Sequence, residues 1–218
     1  DEGKANPRWM YWQAKIIARK DKTKATELQS VLSRQRNFYG FSAAQAIGNP
    51  LSMNDDNLAP NPELQAQLTN DPGLARVIEL MALDKHIDAR NEWVYLMRRH
   101  NSELTAQYGL FALQQGWHGF SVESSIQGKL WDSLVLRFPL AADDAFIKAS
   151  KKYQVNIDEI RAISRRESAF YPYATSGVGA RGLMQLMPAT AKQTAQKNKI
   201  AFNNVKDVYD PNVNIMLG

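Results

Sequence analysis

What most constrains this chain is a rhythm. Through its first 138 residues, apolar side chains recur at helical spacing in short runs closed by Gly, Pro, Asn or Asp, and no run of β-branched residues alternates as a strand would. The expected fold class is therefore all-α. Trp9, Trp12, Ile16 and Ile17 mark a first helix, and a second runs from about Thr23 past Leu28, Val31 and Leu32, with a hairpin turn at Asp21-Lys22. A third helix near 42–46 follows a break at Phe38-Tyr39-Gly40, as one more unit of a stacked helical array, although no fixed repeat period is visible. Residues 49–73 gather Pro50, Pro60, Pro62 and Pro72 among Asn and Asp, which predicts a linker or irregular loop and a first boundary. Helices are expected again at 73–83, 87–99, 103–114 and 120–126. Pro139 then closes the preceding segment, and a new helix starts near Ala141. With 218 residues, more than the roughly 100 to 150 of a typical domain, the chain has room for these segments as separate units. We divide it into 1–66, 67–138 and 139–218.

Composition excludes several classes. No apolar run approaches the ~20 residues of a membrane span, so the chain is not expected to cross a bilayer. The absence of cysteine rules out disulfides, thiol nucleophiles and cysteine-ligated metals. His86, His100 and His118 lack metal-ligand spacing, so neither a metal nor a cofactor is expected. Gly177-Val178-Gly179 with Gly182 superficially matches a dinucleotide fingerprint, but it follows a helix and no strand precedes it. The net charge of +5 is concentrated after Pro139, where eleven Lys or Arg stand against seven Asp or Glu. This favours anionic partners or serves solubility. Lys192, Lys197 and Lys199 read as a solvated helix end without a nucleic-acid motif. Trp93, Tyr95, Trp117 and Trp131 are read as core packing in preference to a sugar-stacking platform.

One acid stands apart, for Glu167 is the only Asp or Glu between Ile160 and Lys206. Asn156 with Glu159 signals a helix start, and Glu167 follows Ile160 by seven residues and Ile163 by four, a spacing that predicts an inward position. Burial there favours the protonated carboxyl group, which can donate to a leaving oxygen. The competing structural reading pairs Glu167 with Arg165, Arg166 or Arg181, or lets it cap the end of its helix. Downstream, Gly177, Gly179 and Gly182 allow turns and close backbone approach, and Pro188 suits the first turn of a helix at 189–196. Ser168, Ser176 and Gln185 can converge between the two helices. Glu159, roughly 12 Å back along the helix and rotated away, is no catalytic partner, whereas Asp207 and Asp210 could fold back towards the acid.

Glu167-Ser168, then Gly179-x-x-Gly182-Leu183-Met184-Gln185-Leu186-Met187-Pro188-x-Thr190-Ala191, resembles the signature of lytic transglycosylases with a goose-type lysozyme fold. Tyr209-Asp210-Pro211-x-x-Asn214-Ile215 is similar to the family segment that follows. Arg8-Trp9-Met10-Tyr11-Trp12-Gln13-Ala14, Asn37-Phe38-Tyr39-Gly40 and Gly128-Lys129-Leu130-Trp131-Asp132 extend the resemblance to the soluble lytic transglycosylases of Gram-negative bacteria. The resemblance implies the end of a helical superhelix over 1–66, a helical linker domain over 67–138, and the first part of a lysozyme-like catalytic domain over 139–218. It implies a periplasmic, monomeric enzyme that cleaves the bond between N-acetylmuramic acid and N-acetylglucosamine in peptidoglycan strands without water, leaving 1,6-anhydromuramoyl ends. Cell-wall synthases are the expected protein partners. Glu167 would act as acid and then base, while Ser168, Ser176, Gly182, Gln185 and Met187 would bind saccharide. A lysozyme-like hydrolase and a non-catalytic peptidoglycan-binding scaffold are the alternatives. The missing initiating Met and the lack of the family's later Ala-Tyr-Asn-Ala-Gly-Pro-like motif predict a fragment truncated at both ends, weakly active or inactive by itself.

Overall fold

The computed structural model describes residues 6–218, so the first five residues of the 1–66 segment lie outside the described residues. Helices dominate, and among the described residues β-structure is limited to two isolated bridges, Thr175 with Arg181 and Arg181 with Leu186. No helix is long and apolar enough to cross a membrane. The chain divides into two compact units, Asp1–Asp56 and Asn57–Gly218.

The first unit holds α1 (Pro7–Ile17), α2 (Lys22–Leu32) and α3 (Phe38–Ile47), which pack on one another. Each starts on a polar side chain that caps a free backbone N–H: Asn6 accepts from Arg8, Asp21 from Lys24 and Asn37 from Gly40. The expected break at Phe38-Tyr39-Gly40 is instead the first turn of α3. Gly40 is there because a Cβ would lie 2.0 Å from the Gln35 carbonyl oxygen, so glycine serves close packing and not chain reversal.

The second unit begins with α4 (Pro62–Thr69), a helix inside the stretch read from sequence as a loop. Asn61 caps it and Pro62 occupies its first turn, so the proline that looked like a breaker is a helix starter. Next come α5 (Pro72–Ala82), α6 (His86–Met97), α7 (Ser102–Gln114), α8 (His118–Gln127) and the single turn α9 (Leu134–Arg137). Their core gathers around Trp93, fully buried, whose indole N–H donates to the Phe120 carbonyl and the Ser124 hydroxyl, both at 3.1 Å. Trp117 packs against this cluster, as the core reading expected, whereas Tyr95 and Trp131 are about half exposed. Asp71 caps α5 through Gly73 N–H and also accepts the Tyr108 hydroxyl, with His100 Nε2 at 3.4 Å.

The remaining elements are α10 (Asp143–Tyr153), α11 (Ile157–Ser168), α12 (Pro188–Asn198), a 3-10 turn at Val205–Tyr209 and α13 (Pro211–Leu217). Phe146, Ile160, Phe170, Leu183 and Ile215 form a second core, and Ala191, Ala195, Val208 and Leu217 a third. The link between the first two cores is local: Phe170 is buried in one and its neighbour Tyr171 in the other. Two adjacent side chains anchored in different cores force the backbone to turn sharply, and Ala169 and Phe170 both adopt left-handed conformations, at φ 53° and 60°. This pair ends α11 one residue after Ser168.

Candidate active site

The sharp end of α11 brings its last turn to a cleft of about 600 Å³. One side is supplied by Ile87, Arg90 and Asn91 of α6 with Glu123 and Ile126 of α8. The rest comes from Arg165 to Ala169 and from Tyr171, Tyr173, Ala174, Thr175, Ser176 and Gln185. Glu167, Ser168, Ser176 and Gln185 thus meet in one concavity. Gly182 and Met187 are not among its lining residues.

Glu167 does not occupy the inward stripe expected of it. The buried face of α11 is Ile160, Ser164 and Ser168, while Ile163 is 50% exposed and Glu167 is exposed to the cleft. Glu167 does share a face with Ile163, four residues before it, but Ile163 is itself an outward residue. The ion-pair reading also fails, because Glu167 has no ion pair or hydrogen bond among the described residues. Arg165 donates through Nε to the Arg137 carbonyl at 2.6 Å and lies over the Phe138 ring. Burial, and then the charge of Arg137, holds its guanidinium below the usual arginine range. Arg181 lies over the ring of Tyr209.

A second carboxylate does enter the cleft, and sequence reasoning missed it. Glu123 of α8 is buried, with both oxygens occupied: Oε2 accepts from Arg90 Nη2 at 2.6 Å and Oε1 from Gln127 Nε2 at 2.8 Å. Arg90 also lies over the Tyr171 ring. The legible signal was the one charge in a run of apolar and small hydroxyl residues, Phe120-Ser121-Val122-Glu123-Ser124-Ser125.

The loop 169–187 is held by its own polar groups. Ser176 exchanges backbone hydrogen bonds around a tight turn, donating to Ala180 O, while its hydroxyl accepts from Ala180 N–H at 3.0 Å. Gln185 Nε2 donates to the carbonyls of Ala174 and Gly182. The Ser168 hydroxyl donates back to Ser164 O, so it is committed within its helix. Gly182 sits at φ +76°, and a Cβ there would lie 2.3 Å from both Val208 O and Asn214 Nδ2. Its role is to let the loop close on Asn214, a fully buried residue that the sequence marked only as part of the family-like segment and without a role. Asn214 donates to Arg181 O and Val208 O and accepts from Met184 N–H at 2.7 Å. Met187 is the exposed residue immediately before α12.

This geometry has known counterparts. Residues 67–134 match the family model of the soluble lytic murein transglycosylase L domain, and residues 144–218 match that of the transglycosylase SLT domain. The soluble lytic murein transglycosylase of Salmonella typhimurium is 36% identical over 219 residues, covering all of this chain and 34% of the relative. The crystal structure of the 70 kDa soluble lytic transglycosylase from Escherichia coli superposes with a TM-score of 0.92 at 37% identity, covering all of this chain and 35% of that one. That of an inactive Glu-to-Gln mutant of the lytic transglycosylase Slt from Pseudomonas aeruginosa gives 0.87 at 32% identity, over 98% of this chain and 35% of that one. The chain thus spans about a third of the length of the relatives it matches.

Proposed function

The chain belongs to the soluble lytic murein transglycosylase family, and from that membership we propose that it cleaves the β-1,4 bond between N-acetylmuramic acid and N-acetylglucosamine without water, with Glu167 as its acid and base. The observation that carries this reading is the contrast between the two carboxylates of the cleft. Glu167 has no side-chain partner among the described residues and is accessible, whereas both oxygens of Glu123 are spoken for by Arg90 and Gln127. Hydrolytic glycosidases usually need two working carboxylates. One available acid fits a reaction in which the nucleophile belongs to the sugar.

In the proposed cycle the Glu167 carboxyl group gives its proton to the glycosidic oxygen as the bond from that oxygen to C1 of the muramic ring breaks. The substrate's 2-acetamido oxygen supports the electron-poor C1. The C6 hydroxyl oxygen of the same ring then bonds to C1, and its proton returns to the Glu167 carboxylate, leaving a 1,6-anhydro end and a free N-acetylglucosamine end. A glycan lying in the cleft excludes water from the acid, which strengthens every hydrogen bond made there. Ser168, Ser176 and Gln185, which line the cleft, are assigned to holding the saccharide, with Gly182 shaping the loop that carries Gln185 and Met187 flanking that loop beyond the lining. Residues 139–218 form the catalytic part, 67–138 contribute the second wall, and the three helices of the first compact unit belong to a helical array. The substrate places the protein in the periplasm.

The test is digestion of sacculi by the full chain and by Glu167→Gln, with product masses recorded. The expected products are one water lighter than hydrolytic ones, and their release falls by about 10³-fold or more in the variant. Products carrying the extra water would identify a hydrolase, and unchanged digestion by Glu167→Gln would remove the acid assigned here.

A further inference from the structure

Tyr173 lines the cleft, and its ring is held from several sides. The His86 imidazole lies flat on it, with centroids 3.6 Å apart and planes 9° from parallel. Tyr171 meets it edge-on at 6.0 Å and Tyr209 at a tilt, 6.1 Å away. His86 is itself fixed at the start of α6, where its carbonyl accepts the Tyr171 hydroxyl at 2.6 Å and its Nε2 lies 3.5 Å from Asp84. Tyr209 shares a hydrogen bond of 2.8 Å with Thr175, another cleft residue.

So firmly held a ring usually has its hydroxyl paired as well, as those of Tyr108, Tyr171 and Tyr209 are. The Tyr173 hydroxyl makes no hydrogen bond among the described residues. Burial, and then the nearby charge of Asp84, raises it above the usual phenol range, so it stays a donor. A rigid donor left without a protein partner in a ligand-sized cleft loses little further freedom when a ligand bonds to it. We propose that Tyr173 is a saccharide-binding residue, donating its hydroxyl to an oxygen of the glycan, and that His86, which does not line the cleft, is the residue that positions it. This rests on the reading of the cleft as a peptidoglycan site. It deepens that reading by bringing in an aromatic pair that joins α6 to the loop after Glu167.

The experiment is calorimetric titration of a peptide-free tetrasaccharide of alternating N-acetylglucosamine and N-acetylmuramic acid into the full chain carrying Glu167→Gln, so that nothing is turned over. Tyr173→Phe removes only an oxygen that bonds to nothing among the described residues, and should weaken binding about ten-fold. His86→Ala should weaken it similarly, while His86→Phe, which keeps a flat ring on Tyr173, should bind within about two-fold of the parent. Equal affinity of Tyr173→Phe and the parent would overturn the binding role. If His86→Phe is no better than His86→Ala, the positioning role falls. Absence of binding by the parent would overturn the peptidoglycan reading and this inference together, an outcome distinct from the other two.

Discussion

At the scale of single residues, the cleft depends on contrasts that side-chain type alone does not reveal. Glu123 and Glu167 are both glutamates, yet one is tied to Arg90 and Gln127 and the other has no partner among the described residues. Glu123→Gln should therefore keep activity on sacculi within about ten-fold of the parent, in contrast to Glu167→Gln, when the two are assayed side by side. Gly182 gives a second prediction. Substituting Ala puts a methyl group within 2.3 Å of backbone and of a buried amide at a positive φ, so denaturant unfolding should show a loss of about 3 kcal/mol. The sequence did disclose that glycine was needed here for a close approach, but not that the approaching group is Asn214. Nor could spacing reveal that Glu167 is exposed. A helix face has meaning only once its partner is known, and Ile163, taken as the inward reference, faces outward.

Elements show the same division between what is local and what is not. Caps at Asn6, Asp21, Asn37, Asn61, Asp71 and Asn156 lie in the sequence for anyone to read, and they begin helices where such side chains should. Helices α7 and α8 are harder. Seven consecutive residues from Gly119 to Ser125 are buried, and their serines satisfy themselves on carbonyls: Ser121 on Leu136, Ser124 on Phe120, Ser125 on Val122. A helix buried on every side has no amphipathic stripe, so the helix expected at 120–126 was legible while its burial, and the place of Glu123 in the cleft wall, were not. Asp71 supplies a prediction at this scale. Burial pushes its carboxyl group up, but the hydrogen bonds from Tyr108, Gly73 and Leu74, with His100 beside it, together bring it below the usual aspartate range. A group depressed in the folded state adds stability above its unfolded value, near 3.8, and loses it as pH falls towards its folded value. Asp71→Ala should cost about 2 kcal/mol at neutral pH and flatten the acid limb of a stability-against-pH curve measured by urea unfolding.

For the molecule as a whole, the boundary between the compact units is drawn by hydrogen bonds on either side of it. Arg36 donates to the carbonyls of Met53 and Asn54, tying them to the first unit. Gln107 donates to Ala59 O and accepts from Asn61 N–H, tying these to the second. Between the two anchors lies a short stretch with no regular structure, so limited proteolysis followed by mass spectrometry should cut first within 56–58. The proline-rich composition of 49–73 made a break in this region legible, while the helix α4 inside it was hidden by the same prolines. Asn214 works over a comparable separation in sequence, for it holds a loop 30 to 33 residues before it. Synthesis runs from the N-terminus, so the ribosome delivers Glu167 and its loop well before the amide that fastens them. The loop that follows Glu167 is therefore fastened late relative to its own synthesis, and should stay open on a ribosome stalled before Asn214 has been made.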